Sequence, residues 1–314
     1  MLMAALGLGI GRATRAGAAP SQPATPVNFD VPTGACDCHT HIFGDPAQFA
    51  FAATRSYTPE PASVGELRRL HRALHVGRVV IVQPSVYGTD NACTLDALRQ
   101  LGASARGVAV IDDATTDAAL DEMHRLGIRG IRLNLETGGV TDPSVARQRF
   151  QHAVERIRRR NWHVQIYTRP SVIEGIEDLV LKSAVPVVFD HFGGAQAARG
   201  VQQPGFPALV NLVRSGHAYV KISAPYQSST RAPDYPDVAP LAEALVAANP
   251  QRILWATNWP HPDSARVAGR KATDIAPLQQ IDDGRVFNQF AVWVKDAAVR
   301  RAILVENPAR LYGF

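Results

Sequence analysis

The stretch ACDCHTHI, residues 35–42, is a short apolar run that carries two histidines on alternate positions. Seven further short apolar runs, bounded by glycine, proline or charged residues, follow along the chain. They are RVVIVQP (78–84), RGVAVI (106–111), GIRGIRLNL (127–135), WHVQIYT (162–168), PVVFDH (186–191), AYVKIS (218–223) and RILWATNW (252–259). The sequence therefore contains eight candidate strands.

Stretches with the periodicity of amphipathic helices separate many of these strands. They lie at residues 91–101, 116–126, 145–160, 171–182 and 237–248. Apolar strands joined by helices predict a parallel sheet, and eight such units close most naturally into an α/β fold of the (β/α)8 TIM-barrel type, whose symmetry need not be ideal. An open doubly wound sheet is the alternative, but the sequence contains neither of the glycine-rich phosphate-binding motifs that would favour it.

The first 33 residues differ in composition from the rest of the chain. Residues 1–33 are rich in small residues and proline and show no lasting periodicity, so they are interpreted as a disordered N-terminus or as a partial signal peptide without its positive region. The barrel domain is expected to span residues 34–314. These two interpretations place the protein in the cytoplasm or the periplasm, and no later segment reaches the length of a membrane-spanning helix.

Composition and charge narrow the classes of partner. The chain has 314 residues, of which 46% are hydrophobic and 19% are charged, which suits one large core. Its formal net charge is +5, but the basic residues are scattered among acidic ones, which argues against nucleic acid as a partner. A small anionic substrate suits this balance, whereas the oligomeric state is not indicated.

Three histidines stand at or near strand ends, where TIM barrels build their active sites. His39 and His41 alternate along one strand and so face the same side, which would be the barrel interior. His191 ends the run PVVFDH in another unit. Such imidazoles suit a metal ion or an anionic oxygen, and a pair of hydrogen-bonded core histidines is the alternative. Asn258 and His261 follow the last strand, in a loop stiffened by prolines.

The ordered set DCHTH (37–41), FDHFGG (189–194) and TNWPHP (257–262) resembles the amidohydrolase superfamily. Within it, the chain is similar to the lactone-processing branch of the 2-pyrone-4,6-dicarboxylate lactonase type. The resemblance extends to the terminal NPARLYGF (307–314) and implies an enzyme that acts on a small carboxylated lactone. It also implies that His39, His41 and His191 line the catalytic centre.

One position departs from the hydrolases of that branch. Asn258 stands where they carry an aspartate that takes a proton from the attacking water, and an amide has no basic lone pair near neutral pH. The departure favours a lactone isomerase that exchanges one ring for another, such as the 1,5-lactone and 1,4-lactone of D-galactarate. A metal-independent lactonase and a catalytically inactive binding barrel are the alternatives. No cofactor is expected, and zinc on the three histidines is the minority interpretation.

Further polar residues on the strands are candidates for substrate binding. Arg129 and Arg132 are three positions apart on one strand and therefore face opposite ways, and the resemblance favours Arg132 as the inward residue. The alternative is that these residues form structural salt bridges or pack as polar side chains inside the barrel. The remaining candidates, all near strand ends or in the following loops, are Gln83, Asn134, Gln165, Tyr167, Lys221, Tyr226 and His261.

Overall fold

Eight parallel strands form a barrel in the computed structural model, which describes residues 19–264 and 267–314. In chain order, these strands are β1 (Cys36–Thr40), β3 (Arg78–Val82), β4 (Ala105–Ala109), β5 (Ile128–Asn134), β6 (His163–Tyr167), β7 (Val187–Phe189), β8 (Ala218–Ser223) and β9 (Ile253–Ala256). A separate parallel pair consists of β2 (Thr58–Pro59) and β10 (Ile275–Ala276). The predicted set of eight strands and the TIM-type barrel are confirmed.

Backbone hydrogen bonds bring the first and last barrel strands together. The amide of Asn258 donates to His39 O at 2.9 Å, and the amide of His41 donates to Trp259 O at 2.8 Å. These two bonds place the loop after β9 directly beside the end of β1. The sequence motifs DCHTH and TNWPHP, which lie far apart along the chain, therefore meet at one rim of the barrel.

Helices cover the outside of the barrel and occupy its loops. They are α1 (Val64–Ala73), α2 (Ala92–Leu101), α3 (Asp117–Arg125), α4 (Pro143–Ile157), α5 (Pro170–Leu181), α6 (Phe206–Arg214), α7 (Pro225–Ser228), α8 (Ala239–Ala248), α9 (Asp283–Trp293), α10 (Ala297–Arg301) and α11 (Asn307–Tyr312). In the described part of the chain, none is long and apolar enough to cross a membrane.

The period of two along each strand separates an outer core from an inner one. Val79 and Ile81 belong to the large core between strands and helices, whereas Val80 and Val82 belong to a smaller cluster that also contains Cys36, Cys38 and Tyr312. This smaller cluster fills the barrel below the polar rim. The strand pairing of β1 shifts between Asp37 and Thr40, in the stretch that contains His39.

The described part of the N-terminal segment packs against the barrel. Ser21 O accepts a hydrogen bond from Trp259 Nε1 at 3.0 Å, and the Thr25 hydroxyl donates to Asp282 at 2.6 Å. The ring of Phe29 lies 4.8 Å from that of Phe287. The expectation that all of residues 1–33 lie outside the fold is therefore wrong from residue 19 onward, because specific side-chain and backbone contacts hold this segment. Residues 1–18, where the signal peptide was considered, lie outside the described residues.

Candidate active site

A cleft of about 650 Å³ opens at the carboxyl ends of the barrel strands and adjoins a narrow chamber of about 20 Å³. The cleft has the volume of a small-molecule site, and the chamber has room for about one water-sized group. Six of the side chains predicted for the site line the chamber: His41, Arg132, Asn134, Tyr167, His191 and Asn258. The structure therefore brings together residues from five separate strand ends.

His39 and His41 form an edge-to-face pair of rings inside the barrel, on the shared face that their spacing predicted. Their Nε2 atoms are 3.3 Å apart, and His41 Nδ1 donates to Val82 O at 2.8 Å. Burial, with the nearby positive charge of Arg132, lowers the pKa of His41 to about 3. His41 is therefore neutral near pH 7, and its Nε2, which faces His39, carries no proton.

Asp190 is the hydrogen-bonding centre of the barrel interior, a role that the sequence reasoning missed. Its Oδ1 lies 3.1 Å from both Lys221 Nζ and His39 Nδ1, and its Oδ2 accepts from Gln165 at 3.0 Å and from Arg132 at 3.4 Å. Burial alone would raise the pKa of Asp190, but Lys221, His39 and Arg132 together hold it well below its usual range. The carboxylate is therefore ionised and paired with two cations.

His191 reaches the chamber through an uncommon backbone conformation. Its φ of 47° lies in the left-handed region, and Gly193 follows with a φ of 63°, so the chain turns sharply after β7. His191 Nδ1 lies 2.8 Å from Ser223 Oγ. Burial lowers the pKa of His191 to about 3, so this ring is also neutral near pH 7.

Asn258 lies at the end of a buried hydrogen-bonded chain. Asn258 Nδ2 donates to the Tyr226 hydroxyl at 2.7 Å, which lies 3.1 Å from His261 Nδ1. His261 Nε2 in turn lies 2.9 Å from Asp283 Oδ2. The Oδ1 atom of Asn258 is buried and has no hydrogen-bond partner among the described residues. Asn258 is itself one of the residues that line the chamber.

Two predicted substrate-binding residues lie elsewhere. The side chain of Arg129 donates to His124 O and Ile128 O at the start of β5, at the end of the strand away from the chamber, so it does not line the chamber. Gln83 is also turned away from the chamber. Its amide nitrogen donates to Asp90 O at 2.7 Å, and its oxygen accepts from Thr94 at 2.5 Å, so it stabilises the loop after β3 instead.

Five other predicted residues lie behind the chamber wall. They are buried or half-buried, and their side-chain bonds run mostly to one another and to the buried carboxylates of Asp190 and Asp283: His39, Gln165, Lys221, Tyr226 and His261. The prediction of direct substrate contact is corrected for Gln165, Lys221, Tyr226 and His261, because the lining described for both cavities does not include them. Tyr57 and Gln227 line the chamber and were missed, since neither stands on a barrel strand.

Among the described residues, a group that could hold a metal ion consists of His39, Asp190 and His191, whose ligand atoms lie within 4.8 Å of one another. Lys221 Nζ lies 3.1 Å from Asp190 Oδ1 and 3.2 Å from His39 Nδ1, so an ammonium already interacts with two of these ligands. A divalent cation beside Lys221 and Arg132 would face strong repulsion. The donor set therefore fits a metal ion poorly.

The barrel and its histidine-lined rim define the class of protein. The family described as Amidohydrolase matches residues 36–314, so the chain belongs to the amidohydrolase family, as the sequence motifs indicated. It is an enzyme of that family.

Relatives with named activities align along nearly the whole chain. This chain is 33% identical over 297 residues to the 4-sulfomuconolactone hydrolase of Rhizobium radiobacter, covering 94% of this chain and 95% of the relative. It is 30% identical over 291 residues to the D-galactarolactone isomerase of Agrobacterium fabrum, covering 92% and 94%. A crystal structure of a Pseudomonas putida protein, assigned as a 2-pyrone-4,6-dicarboxylic acid hydrolase, is 30% identical, with a TM-score of 0.75 and coverage of 90% and 98%.

Proposed function

We propose that the protein is a lactone isomerase, which converts a carboxylated 1,5-lactone of the D-galactaro type into the 1,4-lactone. Its relatives supply the substrate class, because they are named as hydrolases or isomerases of lactones. The observation that carries the proposal is Asn258, whose amide lines the chamber beside His41 and His191. Identity alone does not separate isomerase from hydrolase, since the chain is nearly as similar to both.

The amide at position 258 disfavours hydrolysis. Water must lose a proton as it attacks a carbonyl carbon, and an amide oxygen does not accept that proton near neutral pH. A hydroxyl group of the substrate itself is already held near the carbonyl, and this proximity replaces much of what a base would provide. In this reaction the 4-hydroxyl oxygen bonds to C1, the bond from C1 to O5 breaks, and the proton passes from O4 to O5. Water is neither consumed nor released.

Neutral imidazoles suit such a proton transfer. His41 and His191 both line the chamber, and burial lowers the pKa of each to about 3. Each ring is therefore neutral at pH 7, with one nitrogen that donates and one that accepts. A ring of this kind can hydrogen-bond the lactone oxygens while the proton passes from the attacking to the leaving oxygen, without itself becoming charged.

Arg132 is proposed to bind the substrate carboxylate. Its side chain lines the chamber, is only 7% exposed to solvent, and carries a buried Nε without a hydrogen-bond partner among the described residues. Its single carboxylate contact, to Asp190, is long at 3.4 Å. Guanidinium and carboxylate pair through two parallel hydrogen bonds, so Arg132 retains donors for a ligand. The same positive charges support a mechanism without a metal ion.

The proposal is tested by incubating the purified protein with D-galactaro-1,5-lactone. NMR spectra would follow ring size, and a pH indicator would follow release of acid. Formation of the 1,4-lactone without acid release supports the isomerase. Acid release that keeps pace with loss of the 1,5-lactone would make the protein a lactonase, and the absence of turnover and of binding with any carboxylated lactone would contradict both.

A further inference from the structure

The side-chain amide of Asn258 has two ends with opposite hydrogen-bonding properties. Its oxygen only accepts, and its nitrogen only donates. Which end faces the chamber decides whether the protein offers a donor or an acceptor to the reacting group. The residues behind Asn258 fix this choice.

The chain of bonds begins at Asp283, which opens helix α9 and is 1% exposed. Its carboxylate, when ionised, only accepts, so His261 Nε2, 2.9 Å away, must carry the proton. A neutral His261 then has no proton on Nδ1, which becomes an acceptor. The Tyr226 hydroxyl, 3.1 Å from this Nδ1, has one proton and donates it there.

With its proton committed to His261, the Tyr226 oxygen can only accept from Asn258. It does so from Nδ2 at 2.7 Å. The amide oxygen of Asn258 is thereby turned toward the chamber, where it is buried and has no partner among the described residues. A buried acceptor without a partner requires a donor from a ligand, and the lactone carbonyl has none. The hydroxyl groups of a sugar-acid lactone are such donors.

We propose that Asp283, His261 and Tyr226 are positioning residues that hold Asn258 Oδ1 toward the chamber, where it accepts a hydrogen bond from the attacking hydroxyl group of the substrate. This inference rests on the proposed isomerase function. Asn258 removes no proton in this account. It holds the O–H group so that an oxygen lone pair faces the carbonyl carbon, and a misplacement of about 1 Å in such a geometry can lower the rate about 100-fold.

The first test determines, without any turnover, which group donates at each hydrogen bond from Asp283 to Asn258. The full chain is labelled with ¹⁵N-histidine, and the His261 signals are identified by their loss in His261→Gln. We expect the neutral tautomer with the proton on Nε2, and a shift of the Nδ1 signal in Tyr226→Phe, which removes the donor. A proton on Nδ1, or on both nitrogens, at neutral pH would overturn the inference, because Tyr226 would then be free to present its own proton to Asn258.

The second test separates positioning from a structural role. Tyr226→Phe is expected to lower kcat about 10-fold to 100-fold and to change KM less than about 3-fold, because the carboxylate contact is untouched. Asp283→Asn in addition to Tyr226→Phe should lower kcat no further than the more damaging single change, as for residues that act as one unit. Additive losses, or an unchanged kcat in Tyr226→Phe, would overturn the inference.

Tyr312→Phe is the matched control. Tyr312 is fully buried, its hydroxyl has no hydrogen-bond partner in the described residues, and it lies at the floor of the barrel. Removal of the Tyr312 hydroxyl in this variant should leave kcat and the His261 signals unchanged. If the unmodified protein shows no lactone turnover, the proposed function fails. The ¹⁵N measurement still decides the direction of the hydrogen bonds from Asp283 to Asn258.

Discussion

Lys221 Nζ lies 3.1 Å from Asp190 Oδ1, and neither side chain is exposed to solvent. This ion pair stands at the centre of the barrel interior, where it also contacts His39 and Gln165. Burial lowers the pKa of Lys221, while Asp190 opposes this effect. The Lys221 ammonium thus already interacts with two of the ligands that a metal ion would have to share.

Replacement of Lys221 should destabilise the protein strongly. Lys221→Met leaves the Asp190 carboxylate buried with fewer partners, and breaking a buried pair in this way costs about 3–5 kcal/mol of unfolding free energy. Chemical denaturation measures the loss. The matched control combines Lys221→Met with Asp190→Asn, which removes both charges and should recover part of the stability. Equal losses in the single and double variants would contradict this role of the pair.

Removal of metal ions should leave the activity unchanged. Since Lys221 and Arg132 already neutralise Asp190, turnover is expected to be the same before and after dialysis against a chelator. Added zinc should not increase it. Loss of turnover after dialysis, restored by zinc and with zinc bound in proportion to protein, would show that the metal-independent account is wrong.

Asn258→Asp should introduce hydrolysis. A carboxylate at this position can take a proton from water, so release of acid from the 1,5-lactone is expected to appear beside isomerisation. A pH indicator follows it. Asn134→Asp places the same charge elsewhere in the chamber and should not release acid, because Asn134 does not belong to the hydrogen-bonded series that ends at Asn258. Absence of acid release from both the Asn258→Asp variant and the unmodified protein would leave Asn258 without the predicted chemical role.

Stability should fall as the pH is lowered below about 6.5. Burial lowers the pKa of His41, His163 and His191 to about 3, whereas unfolded histidine titrates near pH 6.5. Between these values the unfolded chain binds more protons, so each ring contributes a slope of up to about 1.4 kcal/mol per pH unit. The free energy of unfolding is therefore highest above about pH 6.5, and it declines as the pH falls toward about 3.

Urea denaturation between about pH 7.5 and about pH 4.5 measures this slope, because the window spans the titration of unfolded histidine. His163→Leu is the control, because His163 lies in the barrel beside Tyr312 and away from the chamber. The variant should lose the slope of about one proton. A slope that does not change in His163→Leu would mean that this ring titrates alike in the folded and unfolded states.

The barrel could be predicted from the sequence because its signals are local. Each strand is a short apolar run, and the period of two is enough to place His39 and His41 on one face. Arg132 and Arg129 differ instead in which end of β5 they stand on, and the pairing of β5 is irregular at Arg129. The site was harder to predict, because its connections join distant positions. Asp190 gathers side chains from four other strands, which no spacing within one strand reveals.

Two errors have a common physical cause. Gln83 follows the last residue of β3, but its side chain is bound by Asp90 O and by the Thr94 hydroxyl, further along the chain. The residues 19–33 have the composition of a disordered tail, yet Trp259 Nε1 and the Asp282 carboxylate bind them. In both cases the deciding partner lies outside the local window on which the prediction was based.

The most direct test of the account is the fate of solvent oxygen. The protein is allowed to convert D-galactaro-1,5-lactone completely in H₂¹⁸O, and the 1,4-lactone is analysed by mass spectrometry against a protein-free blank. Because the substrate's own hydroxyl attacks the carbonyl, the product is expected to contain no ¹⁸O beyond the blank. Incorporation of ¹⁸O into the 1,4-lactone above the level of the blank would show that water opens the first ring, and that the amide of Asn258 does not prevent hydrolysis.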